Sequence, residues 1–158
     1  MPDTPFFPLF VDLSRRRALV VGGGRIAARR VKALAQFCPS VTVVAPAIHP
    51  DLSALAGEGR VAVRERAYRP EDLDTADLVL ACTDDAALNA AIAGACRDRG
   101  IPVNDASDRH NCDFLFPGIA RRGRIVAGVT AGGGDHRLAR QAAEALRACL
   151  EREFDVEN

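Results

Sequence analysis

The stretch LVVGGGRIAARRVKAL, residues 19–34, runs from three apolar residues into three glycines and then into an alternating Arg/Ala segment. Gly22, Gly24 and Ala27 fall on the spacing Gly-x-Gly-x-x-Gly/Ala. The chemistry of that spacing is the holding of a diphosphate by bare main chain. A glycine at 22 permits a tight turn, a glycine at 24 lets a pyrophosphate approach the backbone, and small Ala27 lets a helix pack closely on a strand. The unpaired N–H groups and positive end of that helix face the phosphates. The competing reading is a glycine-rich turn that binds nothing. A second stretch, TDDAALN at residues 83–89, follows the apolar run LVLAC. It sits where open α/β sheets place their ligand crevice, at the carboxyl end of a strand. Thr83 can meet a dinucleotide there through its backbone or hydroxyl; Thr83 and Asp84 can equally cap the following helix, and the two roles are compatible.

With Pro46 and Ala47 at the end of the second apolar run, the expected dinucleotide contacts are Gly22, Gly24, Arg25, Ile26, Pro46, Ala47 and Thr83. The acid that usually holds the adenosine ribose about twenty positions after the first glycine is replaced by neutral VVAPA, residues 43–47. No arginine in that segment clamps a 2′-phosphate, so the expected cofactor is NAD.

These residues need a particular frame. RALVVGGG predicts a buried strand at about 18–21, and residues 25–37 a helix with Ala27, Val31 and Leu34 on one face. SVTVVAP reads as a second strand, followed by a loop at 57–59. RVAVRER reads as a third, alternating strand. ADLVLACTDD is a fourth whose continuous apolar centre suits a parallel sheet covered on both faces. A helix over 85–98 and a fifth strand, IPVND, complete an α/β, Rossmann-like doubly wound sheet. Beyond it, residues 114–120 and 124–130 predict a hairpin joined at RRG, and Asp135 is the expected N-cap of a helix through about 153. The expected division is 1–113 for the dinucleotide-binding domain and 114–158 for the hairpin-plus-helix segment. That segment cannot bury a core alone, which predicts packing against a second copy, a homodimer.

Composition agrees with one globular unit and a small appendage: 158 residues, 48% of them apolar. The 21 basic and 21 acidic residues cancel, so overall charge points neither to nucleic acid nor to an anionic membrane. All basic residues but Lys32 are arginine, which reads either as carboxylate recognition or as codon bias. The five cysteines form no Cys-x-x-Cys pair and read as reduced, mostly buried thiols, with no zinc site. No apolar run approaches a membrane span, and the opening MPDTPFFPLF lacks the order of a signal peptide, making the cytoplasm the expected location.

The segments PLFVDLSRRRALVVGGGRIAARR, VTVVAP, ACTDDAALN, VNDASDRHNCDFLFPG and GVTAGGGDHRLAR stand in an order that resembles the precorrin-2 dehydrogenase family, which includes the N-terminal part of siroheme synthase. The likeness spans about residues 5–150. Its specific part is the conjunction of CDFLFP with the Thr-x-Gly-Gly segment before LAR. It implies NAD-dependent oxidation of precorrin-2 to sirohydrochlorin on the route to siroheme or a related tetrapyrrole. It also implies that residues 114–158 contact the tetrapyrrole.

Precorrin-2 carries carboxylates around its rim, which calls for Arg forks, and Arg109, Arg121, Arg122, Arg124, Arg137 and Arg140 all lie in the last third of the chain. A solvated rim is the alternative for each. The resemblance also implies a catalytic aspartate after the fifth strand. Counting from Asn104 or back from Phe114 lands on Ser107, which lacks the basicity to act without an activating partner. Asp108 is then the first candidate for a general base and Asp105 the second; a turn acid is the structural alternative for Asp108. A further possibility is that neither is a base and hydride acceptance by the cofactor carries the catalysis. Some relatives insert ferrous iron, for which His110 is the tempting residue. They usually carry a further helical segment beyond the last residue here, which weighs against chelation, and His49, His110 and His136 otherwise read as exposed loop or helix-end residues. A dinucleotide-sensing module without chemistry is the remaining alternative; the arginines and the acidic loop at 104–113 argue against it.

Overall fold

The computed structural model describes residues 5–154. The chain forms two compact units. One comprises residues 11–114; the other comprises residues 115–154 with 5–10. Residues 1–4 and 155–158, at the ends of the expected domains, lie outside the described residues.

The first unit is a five-stranded parallel sheet in the order β3-β2-β1-β4-β5. Its strands are β1 (Arg17–Val21), β2 (Ser40–Ala45), β3 (Ala62–Glu65), β4 (Leu78–Ala81) and β5 (Val103–Asp105). Helices α1 (Arg25–Leu34), α2 (Pro50–Gly57) and α3 (Ala86–Asp98) lie between them, and a 3₁₀ turn over Pro70–Thr75 takes the place of a helix between β3 and β4. The expected doubly wound architecture is therefore present, with chain direction across the sheet reversing between β1 and β4.

Both sheet faces are covered, which is why the strands read as unbroken apolar runs. Leu19, Val21, Val44, Val79, Ala81 and Val103 pack with Ile92, Ala93 and Cys96 of α3 and with Leu73. The alternate residues Ala18, Val20, Val41, Val43 and Leu80 are equally buried on the opposite face, and Ala27, Val31 and Leu34 of α1 and Leu52 and Leu55 of α2 are buried as well.

Several boundaries differ from expectation. Helix α1 stops at Leu34, not residue 37, where the chain tightens into a turn in which Gln36 and Phe37 donate their N–H groups to the carbonyls three residues back, Ala33 and Leu34. Helix α2 has no counterpart among the predicted elements. Its two buried leucines are spaced three apart on an otherwise mixed turn, and it is set by Pro50 at the first position with His49 as cap. The cap of α3 is Asp85, whose Oδ1 accepts from the N–H groups of Ala87 and Leu88; this corrects the expectation that Thr83 and Asp84 would do so.

The second unit has the hairpin β6 (Gly118–Arg122) and β7 (Ile125–Val129) and the helix α4 (His136–Glu153). The hairpin turns through a two-residue loop with Gly123 first at φ +54°, the position a type II′ turn reserves for glycine. Asp135 caps α4 by accepting from the Leu138 N–H at 2.9 Å, as expected. Within this unit Ala120, Ala143 and Leu150 are buried, while Leu138 and Phe154 are exposed.

Candidate active site

The exits of β1, β4 and β5 meet at one edge of the sheet. Cys82 donates its N–H to the Val21 carbonyl at 2.7 Å, and Ala106 donates to the Ala81 carbonyl at 2.8 Å. The glycine turn, the TDD segment and the acidic loop are thereby brought side by side at the point where strand order reverses, the crevice in which such sheets bind ligands.

The three glycines have three different surroundings. Gly22 has φ +118°, and a Cβ there would lie 2.4 Å from the Cys82 carbonyl oxygen. A Cβ at Gly23 would lie 2.1 Å from the Ala47 carbonyl oxygen, and the Gly23 carbonyl accepts from the His49 N–H at 2.8 Å. These two glycines are needed by the protein's own backbone. A Cβ at Gly24 would meet nothing within 4 Å. Gly24, Arg25, Ile26, Pro46 and Ala47 are all exposed at this edge, and Thr83 is half-buried.

Helix α1 begins at Gly24 with no side-chain cap and no acid in its first turn. The other three α-helices are each capped by a side chain: His49, Asp85 and Asp135. The first N–H groups of α1 thus face open space over a glycine without a competing carboxylate. A diphosphate fits such a cradle in shape and in charge. Pro46 and Ala47 flank it, consistent with a dinucleotide lying across the β1 and β2 exits.

Thr83 does not point outward alone. Its N–H and hydroxyl both donate to Asn89 Oδ1, at 3.1 and 2.7 Å, and Asn89 Nδ2 donates back to the Thr83 carbonyl at 3.1 Å and to Ser107 Oγ at 3.2 Å. Ser107 Oγ donates to Asp105 Oδ1 at 2.5 Å. Asp105 is buried at 3% exposure and also accepts from the N–H groups of Ser107 and Asp108 and from Asn111 Nδ2. Asp108 is exposed and caps the short 3₁₀ turn Arg109–Asn111, accepting from the His110 N–H at 2.8 Å. The two candidate acids therefore occupy unlike settings, one enclosed and one open.

Asn89 and Arg30 are not among the residues singled out from the sequence, and Asn104 enters there only as a counting landmark. Asn89 was the most legible, a polar residue in the stripe Asn89, Ile92, Ala93, Cys96 that α3 buries. Arg30 donates to Asn104 Oδ1 at 2.6 Å and to Cys82 Sγ at 3.5 Å; Asn104 Nδ2 donates to the Phe114 carbonyl at 2.7 Å. Burial pushes the Cys82 and Cys112 thiols up from their ordinary range, with Arg30 opposing the shift, so neither is a nucleophile at neutral pH. All five cysteines are free. Among the described residues no group of three ligating side chains could hold a metal, and no helix is long and apolar enough to cross a membrane.

Of the candidate arginines, Arg121 and Arg122 donate to the Gly123 and Phe154 carbonyls, and Arg140 faces Glu144 at 3.7 Å on the exposed side of α4. His49 and His136 stand at helix starts, and His110 lies in the exposed 3₁₀ turn.

Asn89→Ala removes every side-chain tie between Thr83 and Ser107. It is expected to cost about 2 kcal/mol, because Thr83 N–H and carbonyl lose buried partners, and to lower Tm by about 5 °C in a thermal melt.

A glycine turn of this kind on a doubly wound sheet defines a nucleotide-binding domain, and the family described as "Putative NAD(P)-binding" matches residues 9–118. The chain belongs to that NAD(P)-binding family. It is 40% identical over 145 residues to siroheme synthase 1 of Yersinia enterocolitica, covering 92% of this chain and 31% of the relative. It is 42% identical over 133 residues to the siroheme synthase of Methylobacillus flagellatus, covering 84% of this chain and 28% of the relative. The chain thus spans about a third of the length of these curated relatives. Among solved structures it superposes on the protein titled "SirC, precorrin-2 dehydrogenase" with a TM-score of 0.75 and 28% identity, over 95% of this chain and 72% of that one. The resemblance drawn from the motifs is borne out.

Proposed function

We propose that this protein oxidises precorrin-2 to sirohydrochlorin with NAD⁺, in siroheme or related tetrapyrrole synthesis. The observation that carries the reading is the uncapped α1 start, open over Gly24 and set beside a loop bearing two carboxylates. Likeness to a precorrin-2 dehydrogenase over 95% of the chain supports it.

Gly22, Gly24, Arg25, Ile26, Pro46, Ala47 and Thr83 would hold the dinucleotide, which when bound supplies the hydride acceptor. The α1 N–H groups and Arg25 balance the diphosphate charge. Neutral Pro46 and Ala47, without an arginine for a 2′-phosphate, favour NAD over NADP. The proton of the oxidation leaves to a carboxylate at the exit of β5, where Asp105 ends the strand and Asp108 lies in the loop beyond it. Arg109, Arg121, Arg122, Arg124, Arg137 and Arg140 are the proposed partners of the substrate carboxylates.

The protein is proposed to act in the cytoplasm as a homodimer formed through the hairpin and α4, a unit whose exposed Leu138 and Phe154 call for a covering surface. Light scattering should give twice 16.9 kDa.

The test is anaerobic incubation with precorrin-2 and either NAD⁺ or NADP⁺, following the sirohydrochlorin spectrum. Turnover with NAD⁺, at least about tenfold faster than with NADP⁺, is expected. Dinucleotide binding with no sirohydrochlorin formed would overturn the reading in favour of a sensing module.

A further inference from the structure

The enclosed acid and its exposed neighbour form a directed hydrogen-bond path. The Asn89 amide cannot be turned over, because its Oδ1 accepts from the Thr83 N–H and its Nδ2 donates to the Thr83 carbonyl. Asn89 therefore presents an N–H to Ser107 Oγ, at 3.2 Å. A hydroxyl has one proton and two lone pairs. With one lone pair engaged by Asn89, the Ser107 proton points to Asp105 Oδ1, 2.5 Å away, and one lone pair is left. Ser107 is exposed, whereas Asp105 is enclosed at 3% exposure.

We propose that Ser107 is the catalytic residue that takes the proton released in the oxidation, with Asp105 behind it as a positioning residue that receives the serine's own proton. This rests on the dehydrogenase reading above. The substrate loses one hydrogen with its electron pair, as hydride to the nicotinamide, and a second as a proton. As that proton bonds to the free lone pair of Ser107 Oγ, the existing Ser107 O–H bond breaks and its proton joins Asp105 Oδ1. The serine ends as it began and never carries the charge of an alkoxide. Asp105 ends as a carboxylic acid and returns its proton to solvent by the same route. A serine alone is far too weak a base near pH 7; coupled to a carboxylate at 2.5 Å it transmits the basicity of the carboxylate. The position thus does the work of an acid without holding one.

The experiment compares the full chain with S107A, D105N and the double variant D105N/S107D, all assayed with precorrin-2 and NAD⁺ from pH 5 to 9. The amide of D105N keeps an acceptor for the Ser107 N–H, so the loop keeps its turn, and a melting curve serves as control. S107A and D105N are each expected to lower kcat about 100-fold with the KM for NAD⁺ within about twofold. The double variant, which delivers a carboxylate directly at 107, should recover most of the lost rate; a merely structural role for Asp105 predicts no such recovery. S107A at wild-type kcat, loss confined to D108N, or a double variant no better than D105N would each overturn the relay. A wild-type chain that makes no sirohydrochlorin overturns the dehydrogenase reading as well, whereas an active wild type with active S107A overturns the relay alone.

Discussion

Replacing Gly24 by alanine is expected to weaken NAD binding at least about tenfold, about 1.4 kcal/mol, while leaving the fold intact; replacing Gly22 by alanine is expected to weaken binding and to destabilise the fold as well. The two glycines are two residues apart and differ in what a methyl group would meet. At Gly24 the added Cβ finds open space at a backbone φ of −83°, which alanine adopts freely. The change costs the protein at most about 1 kcal/mol, from alanine's poor N-cap preference. It does, however, put a methyl group over the α1 amides where the diphosphate is proposed to lie. At Gly22 the Cβ would stand 2.4 Å from the Cys82 carbonyl oxygen and 2.9 Å from the Thr83 nitrogen, both backbone atoms of β4's exit. Neither can move without parting β1 from β4, and the φ of +118° adds its own strain. A loss of about 3 kcal/mol or more follows from the two together. Calorimetry with NAD⁺ and a thermal melt on each variant separate the cases. Equal melting temperatures for the two would contradict the assignment of Gly22 to the backbone's needs. Unchanged affinity in Gly24→Ala would move the diphosphate elsewhere.

The second large effect lies at the sheet's β3 edge. Asp72, side chain 3% exposed, accepts two hydrogen bonds from Arg66 at 2.6 and 2.8 Å, one from Arg64 at 3.0 Å and one from the Arg69 N–H at 2.9 Å. Those partners join β3 to the 3₁₀ turn that carries core residue Leu73. The Arg66 hydrogen bonds, opposed in part by burial and aided by the Arg69 N–H and Arg64, hold the Asp72 carboxyl down to about 2 from the ordinary 3.8. Asp72→Asn is expected to cost about 2 kcal/mol at pH 7, a figure kept modest because Arg64 and Arg66 retain contact with water. The sign of the pH dependence follows from the depressed value. The unfolded chain takes up the proton first as pH falls, so the stabilisation is whole above about pH 5 and is lost through about pH 4 to 2. Urea melts of both proteins should show the gap at pH 7 and its narrowing toward pH 3. A gap that holds constant would mean the carboxylate charge contributes nothing.

Much of this was legible along the chain. The doubly wound sheet followed from apolar runs separated by helical spacing, since strands buried on both faces need such runs. The glycine turn followed because a sharp strand-to-helix reversal needs a residue free to take positive φ. Asp135 as a cap followed because capping is settled within a few residues. Helix α2 did not, because a half-buried helix beside an edge strand needs little apolar patterning. The α3 cap was misread by one or two positions because Thr83, Asp84 and Asp85 are all acceptable caps; Thr83 is drawn inward to Asn89 instead.

By itself the sequence determined the parallel architecture, the bare turn after β1 and the presence of acids after β5, each a matter of neighbouring residues and their periodicity. Only the tertiary structure decided what those acids touch. Asn89 and Ser107 are 18 residues apart and meet because β4 and β5 pair in parallel and end together, so their exits share one edge. That meeting makes Asp105 an enclosed partner of Ser107 and leaves Asp108 a cap in solvent. Burial and hydrogen-bond direction arise from packing between strand ends, and no local pattern carries them.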